Sequence, residues 1–88
     1  MVRKFICQNQ IYCVAVSNDG LSVVSGLTNG KIVVCCIADG TVAKEIDAHE
    51  GYVYSISFSN DGLFMASGGQ DKVCRVMNTK TWEILKEI

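Results

Sequence analysis

SNDGL occupies residues 17–21 and returns, letter for letter, at residues 59–63. Asn, Asp and Gly favour tight turns in any protein, so the phrase acquires meaning only from its surroundings. At the same offset of 42, Tyr12 falls on Tyr54, Ser25-Gly26 on Ser67-Gly68, Val34 on Val76, and Lys44-Glu45-Ile46 on Lys86-Glu87-Ile88. Twelve positions coincide without a gap. A repeat of this period is the sequence signature of stacked supersecondary units.

Each unit reads as four short strands. In the second copy these are YVYSISFS (52–59), LFMASG (63–68), KVCRVMN (72–78) and TWEILKEI (81–88). The first copy follows with IYCVAVS, LSVVSG, KIVVCCI and TVAKEI, divided by NDG, TNG and ADG. Turn signals at this spacing between β-rich runs, with no proline and no helical period, predict an antiparallel meander. Alternation then sorts the faces. Val14 and Val16, with Ile56 and Phe58, make one face of the first strands large, while Cys13 and Ala15, with Ser55 and Ser57, make the other small. Small residues let another sheet approach. The run IVVCCI is apolar on both faces, which an antiparallel sheet needs only where both sides are covered.

Length and composition set the limits. A chain of 88 residues makes one small domain at most and buries about 60 to 65% of its unfolded surface. With 49% hydrophobic residues it carries more apolar material than so small a body hides easily, so some of that surface should meet a partner. Eight basic and nine acidic residues are mixed along the chain, giving a net charge of -1 and no patch suited to nucleic acid or an anionic membrane. The longest apolar run, IVVCCIA, is far short of a membrane span, and MVRKFIC lacks the long apolar region of a signal peptide. Five cysteines in alternating apolar segments, never in Cys-x-x-Cys spacing, read as reduced core thiols of a cytoplasmic protein, with no metal site. The neighbours Cys35 and Cys36 point to opposite faces of a strand and do not converge on one ion.

A pile of four-stranded sheets covered on both faces is the arrangement of a β-propeller. The stretch HEGYVYSISFSNDGLFMASGGQDKVCRVMN, from His49 to Asn78, resembles the WD40 repeat in its His, first strand, Ser-x-Asp-Gly turn, Ala-Ser-Gly, Asp and closing hydrophobic strand. The resemblance implies a structural hydrogen-bond tetrad of His, Ser, Asp and Trp. The second copy supplies His49, Ser67 and Asp71, with Met77 at the Trp position. In the first only Ser25 matches, with Cys7 near the His position, Asn29 for Asp and Cys35 for Trp. The Trp-Asp dipeptide that names the family is replaced by Cys35-Cys36 and Met77-Asn78. The second unit is therefore expected to be braced by hydrogen bonds and the first by apolar packing.

The expected fold is all-β: two four-stranded antiparallel propeller blades at residues 9–48 and 49–88, preceded by an extra outer strand over residues 1–8, where Lys4-Phe5-Ile6 echoes the two fourth strands. Two blades cannot close a ring, and repeat units of this kind need at least about three stacked neighbours. The chain is expected to dock with other propeller blades of a longer protein or, alternatively, to assemble with copies of itself into a ring. A stable two-blade monomer is the least expected outcome.

Catalysis is not expected. His49, the one histidine, is the residue a general base would need. Ser67, His49 and Asp71 share the composition of a hydrolase triad, but no Gly-x-Ser-x-Gly elbow accompanies them. GLTNGK (26–31) is one residue short of a phosphate loop and runs into a strand. The resemblance implies instead a non-catalytic scaffold without a cofactor or small-molecule substrate. Proteins or peptides would dock on the narrow propeller face, at Gln10, Tyr12 and Thr28 in the first blade and Tyr52, Tyr54 and Gln70 in the second. The alternative is a structural assembly piece that completes a propeller and has no ligand site. Trp82 is expected in an outer strand, covering an edge or an adjoining blade.

Overall fold

The computed structural model of the chain describes residues 10–88. The strand expected over residues 1–8 and the Cys7 position lie outside the described residues. Eight strands follow in order: β1 (Ile11–Val16), β2 (Ser22–Leu27), β3 (Lys31–Cys36), β4 (Val42–Asp47), β5 (Val53–Phe58), β6 (Phe64–Gly69), β7 (Cys74–Asn78) and β8 (Ile84–Glu87). They form two antiparallel meanders, β1-β2-β3-β4 and β5-β6-β7-β8. Hairpin connection makes each strand the neighbour of the next, as turn signals at short intervals require.

The SNDGL phrase builds one turn twice. The Ser17 hydroxyl donates to Asp19 Oδ1 at 2.6 Å, and the same oxygen accepts the Leu21 amide at 2.9 Å. Ser59, Asp61 and Leu63 repeat this at 2.6 and 3.0 Å. Gly20 and Gly62 take φ of 74° and 75°, a conformation that costs a residue with a Cβ. Asn18 departs from its counterpart: its Nδ2 donates to the Ser59 and Asn60 carbonyls at 2.6 and 3.0 Å, tying one turn to the other across the two sheets.

Between the sheets, a small face receives a large one. Ala15 pairs with Val24 and Val24 with Val34, so these share the inner face of the first sheet with Cys13, Gly26 and Ile32. Against it pack Val53, Ile56, Phe58, Met65 and Met77 of the second sheet. β5 crosses closest to β1 and β2. A Cβ on Gly26 would lie 2.7 Å from Val53 Cγ1, so only glycine admits the strand at this distance. Ile32, Val33, Val34 and Cys35 are all buried, the first and third in this core and the others in a second cluster with Leu27 on the opposite face. The expectation that β3 is covered on both sides holds. The outer edge of that opposite face stays open, with Val14 and Val16 each 56% exposed.

Two expectations change. The fourth strand of the second sheet begins at Ile84, not at Thr81, and Trp82 lies in the turn before it with φ of 61°. Its amide donates to the Asn78 carbonyl at 2.7 Å, closing a turn that folds the indole back onto the shared core. Turn chemistry at Asn78, whose Oδ1 also accepts the Lys80 amide, overrides the strand preference of Trp.

Met77 is fully buried where the family pattern has Trp, and a flexible thioether fills an irregular gap readily. Met77→Ala should therefore destabilise the chain by about 2 to 5 kcal/mol, read as a lower urea midpoint at unchanged slope. Ser57→Ala, on the exposed outer face, should shift the midpoint by no more than about 0.5 kcal/mol.

Candidate functional site

β1 and β5 both begin with an irregular pairing. Ile11 faces Leu27 and Cys13 faces Gly26, leaving Tyr12 as the extra residue; Val53 faces Gly69 and Ser55 faces Gly68, leaving Tyr54. A bulge re-aims the side chain that it inserts. The two bulged tyrosines meet each other and Tyr52 at one end of the sheets. Ring centroids lie 5.4 Å apart for Tyr12 and Tyr54, 5.5 Å for Tyr12 and Tyr52, and 6.3 Å for Tyr52 and Tyr54. Their tilted and edge-on arrangement suits rings with negative faces and positive edges. All three remain open, at 55%, 40% and 47% exposure for Tyr12, Tyr52 and Tyr54.

The other three residues expected at this end flank the cluster. The Thr28 amide donates to the Gln10 carbonyl at 3.0 Å, and the Gln70 amide donates to the Tyr52 carbonyl at 2.8 Å. The Gln70 side chain returns the bond, its Oε1 accepting the Tyr52 amide at 3.2 Å. Gln10 is thus paired with Thr28 just before β1 and Gln70 with Tyr52 just before β5, with Tyr52 held at both backbone groups.

Close by in the chain lies a polar network. His49 sits in the crossing from β4 to β5, where the Ala48 and His49 amides both donate to the Gly30 carbonyl, at 3.1 and 3.0 Å. Its Nε2 is 2.8 Å from Ser67 Oγ, and its Nδ1 is 3.0 Å from Asp71 Oδ1 and 3.1 Å from Arg75 Nη1. With the proton on Nδ1, the ring donates to Asp71 and accepts the Ser67 hydroxyl through Nε2. Arg75 donates from Nη1 to Asp71 Oδ2 at 2.9 Å and from Nε to Glu87 Oε1 at 3.0 Å. Desolvation pushes the Asp71 pKa up, but bonds from Arg75, His49 and the Val73 and Glu50 amides outweigh it and hold the carboxyl well below the usual carboxylate range.

The Ser67–His49–Asp71 distances are those of a hydrolase triad, yet the chemistry is closed off. The His49 side chain is wholly buried and Ser67 is 1% exposed, so no substrate carbonyl reaches the hydroxyl. Among the described residues, no three His, Cys, Asp or Glu side chains converge as a metal site. The arrangement braces the sheet and fixes the crossing that carries Tyr52.

Sequence reasoning missed Arg75, whose counterpart is Val33; only the pairing of Ser67 with Arg75 places the guanidinium over the network. Ser25, grouped with that network by the repeat, is buried on the opposite face of the first sheet, across from Val14 and Val33. A groove of about 460 Å³ at the far end, lined by Asn18, Phe58, Asp61, Lys80 and Trp82, was also unforeseen, because it needs the Trp82 turn.

The network has a pH signature. The Asp71 pKa is depressed in the folded state, so its contribution to stability is complete above its ordinary value of 3.8 and is lost as pH falls through the lower folded value. Asp71→Asn should melt below the parent at neutral pH, and the gap should narrow below about pH 4. A gap of constant size down to acid unfolding would contradict the assignment.

Comparison with known proteins places these features. The family model described as "WD domain, G-beta repeat" matches residues 1–43 and 40–78. Autophagy-related protein 16 of Arabidopsis thaliana is 35% identical over 89 residues, covering 94% of this chain and 18% of that protein. WD repeat-containing protein SL1-17 of Schistosoma mansoni is 34% identical over 70 residues, covering 80% of this chain and 23% of that protein. The RRP9 WD40 repeats superpose with a TM-score of 0.88 at 22% identity, over 93% of this chain and 26% of that one. The Cps50 (Swd1) β-propeller domain of Myceliophteria thermophila does so with a TM-score of 0.89 at 21% identity, over 97% and 26%. The chain spans between 18% and 26% of the length of these relatives. Its two sheets are β-propeller blades, and the chain belongs to the WD40 repeat family.

Proposed function

We propose that this chain is a non-catalytic scaffold that receives a protein or peptide on the blade end formed by Tyr12, Tyr52 and Tyr54, with Gln10, Thr28 and Gln70 at its rim. WD40 propeller domains are generally protein-interaction scaffolds without catalytic activity, which sets the class. The observation that carries the reading is the tyrosine cluster: three open rings in mutual contact, two of them at bulges that exist in both blades. Such rings offer broad, rigid contact area with a polar tip and lose little rotamer entropy on binding. Gln70 fixes the Tyr52 backbone, so the surface is ordered before a partner arrives.

A second reading has its own support. The outer face of the second sheet repeats the small design of the first, with Ser55 and Ser57 at the positions of Cys13 and Ala15, the first of which meets Val53. The first sheet presents Val14 and Val16 outward. Docking of further blades, or of copies of this chain, on these faces would make the chain an assembly piece.

Separate substitutions distinguish the two. Tyr12→Ala and Tyr54→Ala should each weaken capture of partner proteins by about 30-fold, the equivalent of a 2 kcal/mol contact residue, while light scattering across a dilution series shows unchanged mass. Lost self-association with unchanged capture would support the assembly reading and sink the scaffold one.

A further inference from the structure

We propose that Asn29 is a site of spontaneous deamidation, and that the fold steers the product to aspartate. Asn29-Gly30 is the single Asn-Gly pair in the chain; in the turn between β2 and β3 the Asn29 side is exposed and Gly30 is buried against the crossing. In the first step the Gly30 amide nitrogen attacks Asn29 Cγ, loses its proton, and expels the side-chain nitrogen as ammonia, leaving a five-membered succinimide. Water then opens the ring. Attack at the side-chain carbonyl yields aspartate, and attack at the main-chain carbonyl yields isoaspartate; each consumes one water for one ammonia released.

Three local features favour the first step. Gly30 carries no Cβ to shield its nitrogen. The bond that its N–H makes, to the Leu27 carbonyl, is long at 3.3 Å and holds the group weakly. Asn29 Oδ1 accepts the Lys31 amide at 3.0 Å, which polarises the side-chain carbonyl and folds it over the Gly30 peptide.

The second step is decided by the repeat. Asp71 occupies the equivalent position, and its Oδ1 accepts the Val73 amide at 3.2 Å as Asn29 Oδ1 accepts that of Lys31. An aspartate therefore fits this turn without rearrangement. Isoaspartate would lengthen the main chain by one carbon just before Gly30, whose carbonyl receives the Ala48 and His49 amides. That insertion would pull on the crossing between the blades. The outcome is a negative charge written beside Thr28 and Lys31, in a turn that otherwise keeps its shape.

The test is incubation of the folded 88-residue chain in mildly alkaline buffer, followed by peptide mass mapping with aspartate and isoaspartate products separated. Asn29 should convert about tenfold faster than Asn18, Asn60 or Asn78, a barrier difference of about 1.4 kcal/mol. Labelled methyl transfer by an isoaspartyl methyltransferase should report a smaller isoaspartate share in the folded chain than in the same chain unfolded in urea. Asn29→Gln should abolish the fast signal, and Asn29→Asp should melt within a few degrees of the parent. Conversion of Asn29 no faster than Asn18, an isoaspartate share equal in urea and in buffer, or an Asn29→Asp chain that fails to fold would each overturn the proposal.

Discussion

The fit of a bulky sheet face onto a small one is the constraint on which the molecule rests. Hydrogen bonding organises each meander internally, but nothing in a meander dictates how two of them meet. Here the meeting is dictated by size. Gly26, Cys13 and Ala15 leave a shallow floor, and Val53, Ile56, Phe58 and the two buried methionines fill it. Because interiors pack as densely as organic crystals, a floor built for one depth accepts one partner face and excludes a face of like size. A unit that is small on one side and large on the other also has a direction. Repeating it gives a stack in which every interface is a variation on the same theme.

Polar groups at this interface take their positions from the packing and then stabilise it. His49 lies where the chain crosses between the blades, and burial there makes each of its ring nitrogens an obligation. Ser67 and Asp71 meet both, and Arg75 balances the carboxylate. The result is a crossing held by hydrogen bonds three residues before Tyr52. A surface of open rings gains from such support, since a side chain held in place loses less freedom when something binds to it. Bracing and display are thus two consequences of one backbone path.

What recurs was legible in the sequence; what depends on the offset between sheets was not. The SNDGL turns, the four-strand units and the double-sided burial of β3 follow from residue type and alternation. The gathering of Tyr12, Tyr52 and Tyr54 follows only in part, because the bulges that aim Tyr12 and Tyr54 arise from register. Arg75 and Asn18 escaped because each acts across strands or sheets, and each has a counterpart, Val33 or Asn60, that gives no hint of the role. Trp82 was misplaced for a different reason: strand preference is a statement about a half-buried pleated surface, and a side-chain cap at Asn78 turned the chain away before that surface began.

Divergence between the two copies follows the same logic of place. Gly30 and Lys72 are equivalent, and both take positive φ, 90° and 66°. The first is crossed by another segment: a Cβ on Gly30 would run into the His49 carbonyl, so the position that anchors the crossing cannot carry a side chain. Lys72 is exposed and tolerates a conformation that costs a non-glycine residue about 1 kcal/mol. The residue before each shows the complementary freedom. Aspartate is demanded at 71, where a histidine and an arginine wait for its charge, whereas at 29 the turn asks only for an oxygen that can accept one amide. Asparagine meets that lesser demand, and in doing so places a reactive amide next to a glycine that the crossing does not allow to carry a side chain.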